Sequence, residues 1–409
     1  MIRALFFFIK IQFFVQKFEA IFSSSIIFNR GNQHSNKLLK PFKDFLEERN
    51  IKYIVFEEPD FSGSFKSFSV SKKSISLAPV LIAEIIIRKL MQNFSQNNED
   101  EIEKVIRDII NKIFFRNLKT NKIFSLIEHK AELWRLAFPE AEIFDYQHGI
   151  TYPGHPRYLI DGKPPPFRKA CKIITLTHSK LITNLLIQND ESGFYTSKNT
   201  ISIGFDCREK PKQIKTNNCL KILFSLQDAS EGNNDHLNFY NKKVMQFLVN
   251  NKEFFVKNNI NVTLKRHPRA NLRFEENFQN ISSNIDITDK RDIEELLDDH
   301  NLHLTFSSTM AIDMAGIGIP TIFLRLENPH THLFPFLCPK KIFFSYLQYP
   351  LKDFCAQDAK NFQDIITRNY DDLLSPDSAL SQKVISWYES VIEPFNLSPL
   401  KQIFNLPSK

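Results

Sequence analysis

An α/β fold in two domains, each an open layer of strands flanked by helices, is what this sequence predicts. Three observations carry the prediction. Short apolar runs with β-strand character alternate with helical periodicities along most of the chain. A basic cluster ends one strand (Asn261 to Arg269, NVTLKRHPR) and a hydroxyl cluster ends another (Leu302 to Thr309, LHLTFSST), the arrangement with which open parallel sheets hold phosphorylated ligands. At 409 residues the chain exceeds one ordinary core, and the polar stretch 206–217 (DCREKPKQIKTN) divides the pattern, giving domains at 1–215 and 216–409.

The first thirty residues are Phe-rich, and Lys10 and Lys17 break the apolar run, which is too short and too charged to span a bilayer. Arg3, the apolar centre and Ser23-Ser24-Ser25 resemble a signal peptide, but Lys10 inside that centre argues against one. Two readings stay open for residues 1–22: a buried first helix, or an interfacial helix making peripheral contact with lipid headgroups through Arg3, Lys10 and Lys17. Lys37 to Asn50 has helical spacing interrupted by Pro41, and Ile51 to Glu57 follows as a strand. Residues 58–76 predict a loop. Leu77 to Phe115 predicts two helices parted by Ser95 to Asp100, with Asn98 capping the second and Ile102, Val105, Ile106, Ile109 and Ile110 on its apolar face.

Strands are predicted at Asn121 to Ile127, Glu142 to Tyr146, Lys172 to Thr177 and Thr200 to Gly204, with helices at Ala131 to Phe138 and His178 to Gln188. After EIFDY comes a loop holding Gln147, His148, Gly149, His155 and Arg157. Loops after strands are where α/β proteins place chemistry, and an imidazole titrates near neutral pH. A turn held by glycine and proline accounts for the same residues equally well.

The second run predicts strands at Cys219 to Gln227, Asn261 to Lys265 and Ile285 to Ile287, with helices near Asn238 to Asn250 and Ile293 to Leu297. Lys265, Arg266, His267 and Arg269 crowd the end of the 261–265 strand. Ser307, Ser308 and Thr309 then open a helix that Gly316 and Gly318 stop, before the strand Thr321 to Leu324. Such a helix start offers free N–H groups, hydroxyls and a positive dipole end, suited to phosphate. Ser378 to Val391 predicts a terminal amphipathic helix.

Composition excludes several classes. The balance of 53 Lys and Arg against 46 Asp and Glu is mildly basic, at +7, which suits an anionic ligand or acidic membrane but not nucleic acid. No GxGxxG or GxxxxGK[ST] occurs, which argues against dinucleotide-binding enzymes and P-loop kinases. The five cysteines form no CxxC, as in a reduced, cytoplasmic protein. His330 and His332 share no helical face, so no metal site is expected. GxSxG is absent.

His267-Pro268 after one strand and Ser307-Ser308 at a helix start resemble the two motifs of GT-B glycosyltransferases that build bacterial surface polysaccharide: sialyltransferases, polysialyltransferases and CDP-glycerol glycerophosphotransferases. The Gln147-His148-Gly149 loop with His155-Pro156-Arg157-Tyr158 is similar to a branch of capsule and lipopolysaccharide biosynthesis proteins. The resemblance implies two Rossmann-like domains facing a cleft, with the donor nucleotide on the C-terminal one. It places His267, Ser307, Ser308 and Thr309 on the donor phosphate, with Lys265, Arg266, Arg269 and Gln227 in the same pocket and Asp313 at a ribose hydroxyl. The helix around Trp387 would cross back to the first domain. Glycosyl transfer needs a base for the acceptor hydroxyl and positive charge for the leaving phosphate. His148 is the expected base, with His155 and Glu128 behind it, and Gln147, Gly149 and Arg157 form the acceptor loop. The implied activity is metal-independent and cofactor-free transfer from a nucleotide sugar, a CMP-sugar, to a glycan or glycolipid. A CDP-glycerol or polyol-phosphate transferase and a non-catalytic relative are the alternatives. The expected location is the cytoplasm, at the inner face of the membrane. The acidic acceptor motif of known sialyltransferases is missing.

Overall fold

Alternate residues of three neighbouring strands sort the first sheet into an isoleucine face and a phenylalanine face. Ile21, Ile123 and Ile143 are register partners across it, and so are Phe22, Phe124 and Phe144. All six are buried. Phe124 stacks on Phe22 at 5.2 Å and on Phe144 at 4.8 Å between ring centroids. A strand buried on both faces needs apolar residues at odd and even positions alike, which is why these runs are continuous.

The computed structural model describes residues 2–25, 37–59, 70, 71, 73–94, 99–126, 130–147, 149–205, 219–226, 234–265, 281, 283–288, 296, 299–306, 308–325 and 340–407. Strands are β1 (Gln16–Lys17), β2 (Ala20–Ser25), β3 (Tyr53–Glu58), β4 (Ile75–Ser76), β5 (Leu118–Lys119), β6 (Lys122–Leu126), β7 (Glu142–Tyr146), β8 (Ile174–Thr177), β9 (Thr200–Ser202), β10 (Lys221–Ser225), β11 (Asn261–Lys265), β12 (Ile285–Thr288), β13 (Leu302–Thr305), β14 (Thr321–Leu324) and β15 (Cys355–Ala356). The chain divides into two units, Met1–Asp206 with Pro394–Lys409, and Cys207–Glu393.

The first unit holds a seven-stranded sheet in the order β4-β3-β2-β6-β7-β8-β9, every pair parallel. Its middle includes a strand that the sequence pattern did not predict. Ser23-Ser24-Ser25, which resemble a cleavage site, are the carboxyl end of β2 and fully buried. The short parallel pair of β1 and β5 stands beside the sheet. The helix Ile2–Phe13 buries Ala4, Phe8 and Ile11 in the core that contains Phe56, Phe115 and Trp134. It is therefore a docked first helix, as one of the two readings expected. On the helix Glu99–Ile110, Ile106 and Ile110 are buried as expected, but Val105 is 39% exposed. The Asn98 cap lies outside the described residues.

The second unit holds a six-stranded sheet in the order β12-β11-β10-β13-β14-β15, again parallel throughout. In chain order this is 3-2-1-4-5-6, the doubly wound arrangement whose order reverses between the first and fourth strands. Both units are thus Rossmann-like, as the alternating pattern predicts. The predicted helix at 293–297 lies almost wholly outside the described residues.

The C-terminus corrects one expectation. The helix carrying Trp387 (Ala379–Val391) belongs to the second unit. The Trp387 indole N–H donates to the Leu347 carbonyl at 2.5 Å, and its ring meets Tyr349 edge-on at 4.9 Å. The segment that joins the first unit follows it. There Asn396 N–H donates to Ile203 O at 2.7 Å, and Phe395 and Phe404 pack on Phe42 and Phe124. A buried Trp with its N–H satisfied anchors its helix locally, and two Phe side chains complete the aromatic face of the other sheet.

Candidate functional site

In the second unit, three residues line up across the carboxyl ends of adjacent strands. Ser225 of β10 is in register with Lys265 of β11 on one side and with Thr305 of β13 on the other. All three are buried. Strands β10 and β13 flank the reversal in strand order, where open α/β sheets place their ligand crevice. Burying a lysine there is costly without anionic or polar company.

A hydrogen-bonded chain fixes this edge. His303, fully buried in β13, contacts Thr321 Oγ1 through Nδ1 at 3.0 Å and Ser225 Oγ through Nε2 at 2.9 Å. Ser225 Oγ–H in turn donates to Met310 Sδ at 2.9 Å. The set closes with a neutral imidazole: Thr321 donates to Nδ1, and Nε2–H donates to Ser225. Burial holds the His303 pKa down to about 3, helped by positive charge at His300 and Lys265. Thr305 Oγ1 donates to the Ser225 carbonyl at 3.2 Å and accepts from Ser308 N–H at 3.1 Å. Ser308 Oγ accepts from Met310 N–H at 3.2 Å, so Ser308 supplies the hydroxyl that caps the helix Met310–Gly316. Thr309, the formal N-cap, makes no side-chain cap bond and is exposed. Asp313 sits in the first turn of that helix.

The structure thus brings Lys265 and Ser308 of the expected donor set to one sheet edge. Gln227, Arg266, His267, Arg269 and Ser307 of that set lie outside the described residues, as do His148 and Glu128. Ser225, His303, Thr305 and Thr321 went unnoticed in the sequence. Their signal was present in part: a histidine inside an otherwise apolar parallel strand needs buried partners.

In the first unit, the loop after β7 is tied down at both ends. Gln147 is buried and engages both its amide nitrogen and its amide oxygen internally. Its Nε2 donates to Gly149 O at 2.8 Å, and its Oε1 accepts from His178 N–H at 2.9 Å. Gly149 has φ of +74°, which favours glycine. Arg168 is fully buried, donating to Asp145 Oδ2 at 2.5 Å, to Thr175 Oγ1 at 3.2 Å and to the Arg157 carbonyl. Its guanidinium lies 4.3 Å from the centre of the Tyr158 ring. Arg157 itself is exposed.

His155 is half-buried between the rings of Tyr152 and Tyr158, at 5.2 and 5.3 Å. Its Nδ1 accepts from Arg157 N–H at 3.2 Å. Burial lowers its pKa to about 4, with Arg157 and Arg168 acting in the same direction. A neutral imidazole whose Nδ1 accepts carries its proton on Nε2. In this geometry His155 therefore presents a hydrogen-bond donor rather than a base. Among the described residues no three His, Cys, Asp or Glu side chains gather as a metal site, and no helix is long and apolar enough to cross a membrane.

No protein-family model matches the sequence, and no curated protein matches it. Solved structures do. A putative UDP-N-acetylglucosamine 2-epimerase from Listeria monocytogenes superposes with a TM-score of 0.53 at 11% identity, over 95% of this chain and 97% of that one. The S. aureus MnaA–UDP co-structure gives 0.51 at 10% identity, over 96% and 98%. The glycotransferase of kitacinnamycin gives 0.51 at 11%, over 96% and 100%. At such identities the likeness concerns the fold, which is of the two-domain GT-B type along nearly the whole chain.

Proposed function

We propose that the chain is a nucleotide-sugar-dependent glycosyltransferase whose second unit holds the donor. The observation that carries this reading is the row Lys265–Ser225–Thr305, with Ser308 beside it, at the carboxyl edge where strand order reverses. A leaving nucleotide phosphate needs cations and donors fixed before it arrives. Lys265 and Ser308 supply them, joined by His267, Arg266, Arg269, Ser307, Thr309 and Gln227, with Asp313 toward the ribose. The first unit carries the acceptor. His148 is the base, Glu128 its alternate, and His155 donates a hydrogen bond from Nε2 while Arg157 meets the acceptor.

The sequence resemblance favours a CMP-sugar, used for a surface glycan or glycolipid in capsule or lipopolysaccharide assembly at the inner face of the membrane. A nucleotide panel read by thermal shift tests the donor. CMP at about 100 times its Kd adds about 2.7 kcal/mol of stability. A response to UDP alone, the nucleotide of one structural neighbour, replaces CMP, and no response to any nucleotide ends the proposal. His267→Ala and Ser308→Ala should each abolish transfer, followed by mass spectrometry of mixed nucleotide sugars with a lipid or oligosaccharide acceptor, while far-UV circular dichroism stays unchanged. Isomerised donor without any transferred sugar would assign an epimerase instead.

A further inference from the structure

Seven of the sixteen large apolar side chains that stand exposed among the described residues fall within the first fifteen positions. The helix Ile2–Phe13 docks through Ala4, Phe8 and Ile11. At 3.6 residues per turn, Ile2, Leu5, Phe6, Ile9 and Phe13 share an arc of roughly 100° on the opposite side. Phe6 is 68% exposed and Phe13 75%. A helix apolar on both sides, but packed on one only, leaves a face that water does not favour.

The charges on the helix and on the segment bonded to it have one sign. The helix is bonded to the segment 111–119. Gln12 donates to the Ile113 carbonyl, Asn117 donates to the Gln12 carbonyl at 3.0 Å, and Gln16–Lys17 pairs with Leu118–Lys119. Residues 2–18 and 111–122 together contain no aspartate or glutamate. Their exposed cations are Arg3, Lys10, Lys17, Lys112, Arg116 and Lys119, while Lys122 is buried. A second copy of the chain fits poorly, because a two-fold contact sets the same patch against itself and brings the cationic rims together. An apolar arc rimmed by cations matches a bilayer surface rich in anionic lipid.

We propose that this face of the first unit docks in the plane of an anionic membrane, with Phe6, Ile9 and Phe13 entering the acyl boundary and the lysines meeting headgroup phosphates. The docking stands independently of the nucleotide-sugar reading. The test is flotation of the full chain with vesicles of phosphatidylcholine alone, and of phosphatidylcholine with one-third phosphatidylglycerol. The wild type should float with the anionic vesicles and release in high salt. The triple variant Leu5→Ser, Phe6→Ser, Ile9→Ser should bind roughly 100-fold more weakly, and the double variant Lys10→Glu, Lys112→Glu should lose about tenfold and its salt dependence. All three side chains of the triple variant point to solvent, so an unchanged melting temperature verifies its fold. Should that fold fail, the charge variant tests the proposal alone. Equal flotation of wild type and variants overturns it, as does absence of flotation. A concentration-dependent dimer that the triple variant abolishes, without vesicle binding, assigns the face to a second copy instead.

Discussion

Arg168 ties two strands and a loop together through one side chain. Its guanidinium meets Asp145 of β7, Thr175 of β8 and the Arg157 carbonyl, with no exposure to solvent. Removing one partner of a fully buried pair leaves a charge without its counter-ion, which costs about 3–5 kcal/mol. Arg168→Met should therefore lower the unfolding free energy by that amount, read as a lower urea midpoint at unchanged m, and Arg168→Lys should not restore it, because an ammonium cannot reproduce the fork. His303 makes a pH prediction at the same scale. It stays neutral in the folded chain down to about pH 3, while an unperturbed imidazole takes its proton near 6.5. Between those values the unfolded chain binds the extra proton, so stability falls as pH drops below 6.5. His155, lowered to about 4, acts in the same direction. The slope per histidine reaches about 1.4 kcal/mol per pH unit. Urea titrations at about pH 7 and pH 5 should show it, and His303→Gln should remove its share while that of His155 stays.

Among the elements, the helix Met310–Gly316 is closed at its carboxyl end by backbone chemistry. Gly318 N–H donates to Ala315 O at 3.0 Å and Ile319 N–H to Met314 O at 2.9 Å. Gly318 has φ of +86°, the left-handed cap position of a Schellman motif. A Cβ there would lie 3.2 Å from Ile385 Cδ1. Gly318→Ala should cost about 1–2 kcal/mol from the backbone alone, read as a lower melting temperature. This stop was legible from Gly316 and Gly318 in sequence. The terminal segment was not. Deleting residues 394–409 removes Phe395 and Phe404 from the aromatic face at Phe42 and Phe124. Two lost aromatic side chains should destabilise the first unit by about 3 kcal/mol or more. Limited proteolysis of the truncated chain should then cut first within residues 1–206.

For the whole molecule, two parallel sheets with the same order of central strands follow one another along the chain. If the second unit holds the donor, hydrogen exchange with saturating CMP should slow at the ends of β10 and β13 and around Ser308. Exchange in the first unit should change far less. Uniform slowing across both units would argue for general stabilisation rather than an occupied pocket.

Periodicity alone was enough to determine the α/β class, most of the parallel strands and the hydroxyl-to-helix turn at 308–316, because each depends on neighbours within about ten residues. Three features were decided only by tertiary structure. Ala20 to Ser25 is the strand at which the first sheet's order reverses, and three serines hid it, since their burial depends on β3 and β6 on either side. Ser225, His303 and Thr321 meet only because β10, β13 and β14 lie side by side, with residues up to 96 positions apart in chain. The first helix carries two apolar arcs in sequence, and only docking decided which arc is buried and which faces outward. Local pattern records what a segment prefers; the partner that satisfies a buried polar group, or covers an apolar face, is chosen by contacts distant in sequence.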